Sequence, residues 1–174
     1  GLQHLKYFIP TTLSQDYGNY FVVVVDNGST DNSVEFLSNT YPDIEVLSLD
    51  KNYGYSKGFN KGIEYCISKK AEYILISNND VKLDSKVLKE GVKFSETDNK
   101  IGYISGKTYI LGTEKKLQRA GGRIMHGPNK LQIRGAGEMD TGQYDLVADF
   151  DFMDDVYVYS FIWNLQRYTW LACH

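Results

Sequence analysis

The sequence is poor in the features that mark several large classes of protein. It contains only two cysteines, Cys66 and Cys173, which are too few for a disulfide framework and lack the spacing of a metal site. Its longest apolar run covers residues 21–25, far short of the roughly 20 residues that span a bilayer. The first residues also lack the basic-then-apolar order of a signal peptide. We therefore expect a protein of a reducing compartment, with a cytoplasmic location.

An excess of charge of either sign is also missing. The 19 basic and 22 acidic residues leave a formal net charge of -3 at pH 7, which gives no general attraction to nucleic acid or anionic lipid. We therefore predict no nucleic-acid partner. At 174 residues, 42% of them hydrophobic, the chain is long enough and apolar enough for one domain with its own core.

What the sequence does contain is an alternation of strand and helix patterns. Apolar spacing predicts an opening helix over residues 2–14, which Pro10 should kink or shorten. The predicted strands are residues 20–25, 44–49 and 73–76, and the predicted helices that follow them are residues 32–39, 56–69 and 85–94. This order predicts an α/β fold with a mostly parallel, doubly wound sheet.

Polar clusters follow two of these strands, at residues 26–31 and 78–80. Ligands of such sheets bind beyond the carboxyl ends of the strands, so two clusters at one edge predict a site. Asp26 could accept a hydrogen bond from a base or a ribose, and Gly28 permits a tight turn. Taken alone, the first cluster is slightly better explained as a turn before a capped helix, and the second is better explained as a plain strand-end turn.

Beyond Gly102 the pattern changes. Residues 101–110 predict one strand, and residues 118–137, rich in Gly, Arg and Lys, predict strands and loops over the site rather than a second domain. Three arginines in this segment either bind a phosphate or anionic acceptor or form a solvated basic loop; they are Arg119, Arg123 and Arg134.

Three blocks of the sequence, in order, resemble family 2 glycosyltransferases. They are VVVVDNGSTDNS at residues 22–33, NYGYSKGFNKGI at residues 52–63 and YILISNNDV at residues 73–81. Two later segments resemble the rhamnosyltransferase-like subgroup, namely AGGRI at residues 120–124 and GAGEMDTGQ at residues 135–143. The resemblance covers about residues 5–152, and blocks in this order and spacing are far more specific than any one of them.

The resemblance implies the GT-A fold, a Rossmann-like αβα sandwich. It also implies inverting transfer of a sugar from a nucleoside diphosphate sugar to a hydroxyl of a carbohydrate or glycolipid acceptor. An Mg²⁺ or Mn²⁺ ion would stabilise the charge that develops on the leaving diphosphate. The usual setting of such enzymes implies polysaccharide or glycolipid synthesis, with peripheral association of the full-length enzyme with the inner face of the membrane.

The resemblance also implies the site residues. Asp26 matches the carboxylate that contacts the base, and Asp80 matches the final aspartate of the family's Asp-x-Asp metal site. The implied nucleotide-binding residues are Asp26, Asn27, Gly28, Asn60 and Asn78, and the implied metal ligand is Asp80. Because Asn78 stands where the family has the first aspartate, metal binding without nucleotide should be weak. Tyr53 and Tyr55 either stack on a base or sugar or pack on the sheet.

The family pattern breaks at both ends of the chain. Family members normally have another strand before the first helix, and residues 153–174 do not align with them. We therefore expect a partial glycosyltransferase core over residues 1–152 and a non-matching segment at residues 153–174, as in a truncated or altered product. Residues 156–163 predict an extra strand or an association surface. Asp154 and Asp155 stand near the place of the catalytic base, but their spacing does not match and no catalytic residue is assigned.

Two other functions stay open on the sequence. One is an inactive nucleotide-binding fragment of the same family, which nucleotides would stabilise without turnover. The other is a sugar nucleotidyltransferase with a similar sheet. That second class needs a Gly-rich, basic loop near the amino terminus for a triphosphate, and no such loop is visible.

Overall fold

The computed structural model describes residues 1–127 and 131–152, together with the backbone of residues 157–161. Its helices are α1 (Leu2–Leu13), α2 (Ser33–Thr40), α3 (Tyr55–Ser68) and α4 (Val87–Ser95). Its strands are β1 (Val23–Asp26), β2 (Glu45–Ser48), β3 (Tyr73–Ser77), β4 (Tyr103–Ile104), β5 (Thr108–Tyr109), β6 (Leu117–Arg119), β7 (Gly122–Ile124), β8 (Leu131–Ile133) and β9 (Tyr157–Phe161). Within these ranges, no helix combines the length and the apolar character needed to cross a membrane.

The opening helix passes through Pro10 and ends at Leu13, so of the two expected alternatives, a kink or a shorter helix, the shorter helix is wrong. A proline inside a helix removes one backbone hydrogen bond and crowds the preceding turn. Packing outweighs that cost here, because Leu5, Phe8 and Ile9 are buried on one face of α1. They form the main hydrophobic core with residues of α2, β2 and the segment after β3, and its buried members are Leu5, Phe8, Ile9, Leu37, Ile44 and Leu83.

The predicted sheet is only partly right. β1 and β2 pair in parallel, from Val23 opposite Glu45 to Asp26 opposite Ser48. β3, however, pairs antiparallel with β9, which pairs on its other side with β4. Within the described residues no strand pairing joins β1 to β3. The expected extra strand in residues 156–163 is present as β9; the rest of that tail lies outside the described ranges.

The region after β3 is built from short antiparallel pairs. The single strand expected over residues 101–110 is wrong, because Ser105, Gly106 and Lys107 separate β4 from β5. β5 pairs with β6 and β7 pairs with β8, and this agrees with the strands and loops predicted for residues 118–137. Arg134 continues the second hairpin through an amide hydrogen bond to the Gly121 carbonyl at 2.9 Å.

Candidate functional site

The turn after β1 is fixed by a close approach of two backbone segments. Gly28 has φ of +74°, a left-handed conformation that favours glycine. A Cβ at this position would lie 2.5 Å from the carbonyl carbon of Lys51 and 2.7 Å from the amide nitrogen of Asn52. Asp26, at the end of β1, is buried, and its Oδ1 accepts a hydrogen bond from the Ser29 amide at 3.3 Å. The DNGS turn therefore packs directly on the loop that leads to α3.

The side-chain amide of Asn27 connects that loop to β1 through both its nitrogen and its oxygen. Its Nδ2 donates to Asn52 Oδ1 at 3.2 Å and to the Gly54 carbonyl at 3.0 Å. Its Oδ1 accepts the Tyr53 amide at 2.9 Å. Gly58, in the first turns of α3, is buried against the same side chain, where a Cβ would lie 3.1 Å from Nδ2. Asn27 thus holds the amino end of α3 against the carboxyl end of β1.

The turn after β3 reaches the same end of α3. Tyr55, the first residue of α3, donates its hydroxyl to Asn78 Oδ1 at 3.0 Å. Its ring also meets that of Phe59 edge-on, with 4.7 Å between the ring centroids. Because Asn27 and Asn78 both contact the first turn of α3, the carboxyl ends of β1 and β3 lie at one edge of the fold. Asp26 and Asp80 are therefore at that same edge, as the sequence predicted.

A cleft of about 860 Å³ opens between β1 and β3, with α1 and α3 on its two sides. The site end of this cleft is lined by Asn27, Tyr55, Asn78 and Asp80. Asp80 is exposed, whereas Asn78 is half-buried. Asn60 lies farther along α3 and is exposed, and it is absent from the residues that line the cleft, as are Asp26 and Gly28. The structure therefore brings Asn27, Asn78 and Asp80 together and leaves Asn60 to one side.

The two tyrosines in the second sequence block have different surroundings. The Tyr55 hydroxyl contacts the site through Asn78. The Tyr53 hydroxyl instead donates to Asp50 Oδ1 at 2.8 Å, and this hydrogen bond raises the pKa of Tyr53. The ammonium groups of Lys57 and Lys51 lie 4.5 and 5.3 Å from the centre of the Tyr53 ring. Lys51 in the loop before α3 and Lys57 in the first turn of α3 thus place two cations around the Tyr53 ring.

A cluster of charged residues in the later region was missed by the sequence analysis. Lys107 Nζ lies 2.5 Å from Asp140 Oδ2 and 2.6 Å from Asp145 Oδ1, and the Tyr109 hydroxyl donates to Asp140 at 2.5 Å. These hydrogen bonds lower the pKa of Asp140 to about 2, and the one from Lys107 has the largest effect. The Gly142 amide also donates to Asp140, so the DTG sequence at residues 140–142 was the available signal for this turn.

The arginines of the glycine-rich segment are not equivalent. The guanidinium carbon of Arg134 lies 4.5 Å from the centre of the Tyr144 ring and 5.4 Å from that of Phe150, close enough for cation–π attraction. A second cavity, of about 570 Å³, is lined by Arg123, Arg134 and the same two rings. Arg134 therefore packs against aromatic side chains and is not part of a solvated basic loop.

Comparisons with known proteins give one family. Residues 3–152 match the family described as Glycosyl transferase family 2. A dolichyl-phosphate beta-glucosyltransferase, ALG5C, of Trichomonas vaginalis is 31% identical over an alignment of 101 residues that covers 54% of this chain and 29% of that protein.

Two solved structures are similar in fold. The mannosyltransferase PcManGT of Pyrobaculum calidifontis, solved with GDP-Man and Mn²⁺, has a TM-score of 0.52 and 22% identity, covering 63% of this chain and 33% of that one. TarS 1–349 of S. aureus has a TM-score of 0.53 and 19% identity, covering 71% and 38%. At these identities the likeness shows the fold alone, and it agrees with the predicted GT-A α/β fold. The chain spans 29% to 38% of the length of these relatives. The rhamnosyltransferase-like subgroup stays a prediction.

Proposed function

The chain belongs to glycosyl transferase family 2, and from that membership we propose that it binds a nucleoside diphosphate sugar where β1, β3 and α3 meet. The observation that carries the proposal is the convergence of two separate strand ends on the start of α3. Asn27 contacts Tyr53 and Gly54, which lead directly into α3, and Asn78 contacts Tyr55, its first residue. A plain strand-end turn needs no such convergence, whereas a ligand in an α/β sheet binds at this kind of crevice.

Each residue at this edge has a proposed role. The buried carboxylate of Asp26, fixed by the Ser29 amide, would accept hydrogen bonds from the base or ribose. Gly28 keeps the turn close to the backbone of the neighbouring loop, and Asn27 and Asn78 shape the crevice floor. Asp26 and Asn60 both lie outside the cleft lining, so a ligand would reach Asp26 only beside the DNGS turn and Asn60 only by extending along α3.

We also propose a divalent ion at Asp80. The donor set fits an oxygen-seeking ion, because the exposed Asp80 carboxylate is two residues from the amide oxygen of Asn78. Across residues 1–127 and 131–152, no three His, Cys, Asp or Glu side chains converge as metal ligands. Most ligands of Mg²⁺ or Mn²⁺ would therefore be diphosphate oxygens and water, as is common for Mg²⁺. When bound, the ion would supply positive charge to the leaving diphosphate. The Mn²⁺ and GDP-Man in the PcManGT structure support this part of the proposal.

Sugar transfer with inversion to a carbohydrate or glycolipid hydroxyl completes the proposal. The dolichyl phosphate in the name of the Trichomonas relative supports a lipid acceptor, whose accepting group in that protein is a phosphate rather than a hydroxyl. Peripheral association at the inner face of a membrane is proposed with such an acceptor. Inverting transfer requires a carboxylate in hydrogen-bond reach of the acceptor hydroxyl. Asp154 and Asp155 lie outside the described residues, so no base is proposed.

Binding without turnover is a second candidate. The observation that favours it is Asn78, which stands where the resemblance implies the first carboxylate of the metal site. Release of nucleoside diphosphate from UDP-, GDP- and dTDP-sugars, measured with an acceptor panel, separates the two functions. Turnover supports the transferase, whereas nucleotide binding with no release supports the binding fragment. The family match also decides against a sugar nucleotidyltransferase.

The binding proposal is tested by thermal unfolding with UDP, GDP or dTDP, each with and without Mn²⁺. A nucleotide at about 100 times its Kd stabilises a protein by about 2.7 kcal/mol, which for this size raises Tm by about 5–10 °C. We expect a rise of this order for at least one nucleotide, and a larger rise with Mn²⁺ than without it. No shift with any nucleotide would contradict the proposal.

Charge variants separate the metal site from a general ionic effect. Asp80→Asn should remove most of the Mn²⁺-dependent part of the shift. Asp43→Asn makes the same charge change at an exposed residue between α2 and β2 and should leave it intact. Asn78→Asp adds the second carboxylate, so it should increase Mn²⁺ binding in the absence of nucleotide. Equal Mn²⁺ responses in Asp80→Asn and Asp43→Asn would refute the assignment of Asp80.

A further inference from the structure

The hairpin of β7 and β8 places two arginines on one of its faces. Arg123 lies opposite Gln132, and the ladder continues beyond β8 through the hydrogen bond from the Arg134 amide to the Gly121 carbonyl. Successive side chains of a strand alternate between the two faces, so Arg134 shares a face with Gln132 and therefore with Arg123. The two arginines occupy diagonal positions, from which long side chains can reach one another.

The segment of residues 144–150 covers this face and encloses a cavity. Gly121 leaves room for the ring of Phe150, because a Cβ on Gly121 would lie 2.8 Å from the nearest ring atoms. The cavity, of about 570 Å³, has the size of a small-molecule pocket. None of the residues that line it also lines the cleft at the candidate site. The hairpin cavity is therefore separate from the proposed nucleotide crevice.

Positive charge in the hairpin cavity is not balanced by the carboxylates nearby. Its lining includes both arginines and no acidic residue. In residues 1–127 and 131–152 no carboxylate forms an ion pair with either arginine. Of the acidic residues in the adjoining segment, Asp145 pairs with Lys107, Asp151 accepts the Ile124 amide, and the exposed Asp149 does not line the cavity. Two guanidinium groups in such a cavity favour an anionic ligand.

Arg134 is already positioned for such a ligand. Its guanidinium carbon lies 4.5 Å from the centre of the Tyr144 ring and 5.4 Å from that of Phe150. The ring faces attract the positive charge but offer no oxygen acceptor, and the Tyr144 hydroxyl donates to Glu138 Oε2 at 2.8 Å. The N–H donors of Arg134 can therefore bind an oxyanion such as phosphate, which guanidinium groups bind in a bidentate manner. Because the rings already restrict the side chain, binding costs less ordering entropy.

Large apolar side chains border the same cavity. Leu146 and Val147 both line it and are 85% and 74% exposed. Neighbouring apolar side chains in water at the mouth of a cavity indicate a ligand with an apolar part. A small inorganic anion would satisfy the guanidinium groups but leave these side chains in water.

We propose that the hairpin cavity binds a phosphate monoester of an apolar chain. The phosphate contacts Arg123 and Arg134, and the chain covers Leu146 and Val147. Soluble sugar phosphates carry the same phosphate group, so the apolar chain is what distinguishes a lipid phosphate from them at this site.

Isothermal titration calorimetry with three probes tests both parts of the ligand. Octyl phosphate, kept below the concentration at which it forms micelles, carries both the phosphate and the chain; octyl glucoside lacks the phosphate, and glucose 1-phosphate lacks the chain. We expect each of the last two to bind at least tenfold more weakly, since covering only two methylene groups contributes about tenfold. Equal affinity of octyl phosphate and octyl glucoside, or of octyl phosphate and glucose 1-phosphate, would overturn the proposal, as would no binding of octyl phosphate.

Variants assign the binding to the hairpin cavity. Arg134→Gln should weaken octyl phosphate binding by about 10- to 100-fold, the contribution of a charge-assisted hydrogen bond. Arg123→Gln repeats this test at an exposed side chain, so the result does not depend on the packing of Arg134. The control Lys100→Gln removes the same charge at an exposed residue that lines neither cavity, and it should leave the affinity unchanged. Equal affinities of the three variants would overturn the assignment.

The apolar part has its own variant. Leu146→Ser changes a side chain that is 85% exposed, so the fold should be unaffected. We expect it to weaken octyl phosphate binding by about three- to tenfold and to leave glucose 1-phosphate binding unchanged. An unchanged affinity for octyl phosphate would contradict the proposed position of the chain.

A competition experiment separates this site from the nucleotide crevice. An excess of UDP, GDP or dTDP with Mn²⁺ should leave the affinity for octyl phosphate unchanged. Displacement by a nucleotide would show that both ligands use one site and would overturn the proposal. Binding of octyl phosphate is measured without nucleotide, so failure of this proposal is distinguishable from failure of the proposed function.

Discussion

Alanine substitutions at Gly28 and Gly112 separate two free-energy costs. One is the cost of crowding a nearby backbone segment, and the other is the cost of a left-handed backbone conformation. The φ angles of these two glycines are +74° and +80°, so alanine is strained in both. A Cβ on Gly112 meets nothing within 4 Å, whereas one on Gly28 lies 2.5 Å from the Lys51 carbonyl carbon. A Gly28→Ala and Gly112→Ala pair therefore differs mainly in the contact with the loop before α3.

The expected magnitudes follow from this difference. A left-handed conformation costs a residue with a Cβ about 1–2 kcal/mol, partly offset by about 0.4–1 kcal/mol because alanine restricts the unfolded chain. Gly112→Ala should thus lower the free energy of unfolding by about 1 kcal/mol. At Gly28 the obstructing atoms are backbone, and overpacking adds about 1–3 kcal/mol. Gly28→Ala should therefore cost about 2–4 kcal/mol, a fall in Tm of about 4–16 °C.

Urea unfolding followed by far-UV circular dichroism measures both variants. Helical signal is a suitable probe, because it reports on α1, α2, α3 and α4 together. Unchanged m-values would show that the comparison concerns folded-state stability. Equal losses in the two variants would refute the reasoning, since they would show that the approach to Lys51 and Asn52 adds no cost.

Two further predictions concern hydrogen bonds that cross between segments. Asn27→Ala removes three of them, so we expect the free energy of unfolding in urea to fall by about 1–3 kcal/mol. The control Asn39→Ala, at an exposed position on α2, should leave it unchanged. Equal effects of the two substitutions would refute the linking role of Asn27. The hydrogen bond from Lys107 holds the pKa of Asp140 at about 2, below its ordinary 3.8. The ionised Asp140 therefore stabilises the fold above about pH 4, and this stabilisation is lost as the pH falls towards 2. Asp140→Asn should accordingly be less stable than wild type at pH 7, with the difference shrinking between pH 4 and pH 2; a constant difference would contradict the assignment.

The elements predicted well from the sequence are those whose signal is local. The apolar run before Asp26 and the glycine after it specify a strand and a tight turn within a few residues, and β1 and its turn are found there. The helix spacing of residues 56–69 likewise predicts α3 to within one residue at each end. Periodicity and turn chemistry act over one or two turns of chain, and the sequence displays them directly.

The features that were missed depend on residues far apart in the chain. β9 pairs with β3 across about eighty residues, from Tyr73 opposite Phe161 to Ser77 opposite Tyr157. An apolar strand does not encode which edge it joins, so the sequence indicated a strand but not its place. The Lys107 and Asp140 pair has the same origin, because a lysine and an aspartate 33 residues apart show no pattern before the chain folds.

The two amides at the candidate site are explained to different degrees by the fold. Asn27 donates to two oxygens and accepts one amide, and a carboxylate there would lose both donors and face Asn52 Oδ1 and the Gly54 carbonyl. The fold therefore requires an amide at Asn27. Asn78 accepts a hydroxyl from Tyr55, which a carboxylate would accept equally well. Among the described contacts of the Asn78 side chain, none distinguishes an amide from a carboxylate, so Asn78→Asp should leave the hydrogen bond from Tyr55 intact. That is why Asn78→Asp, rather than any change at Asn27, tests how this site binds a metal.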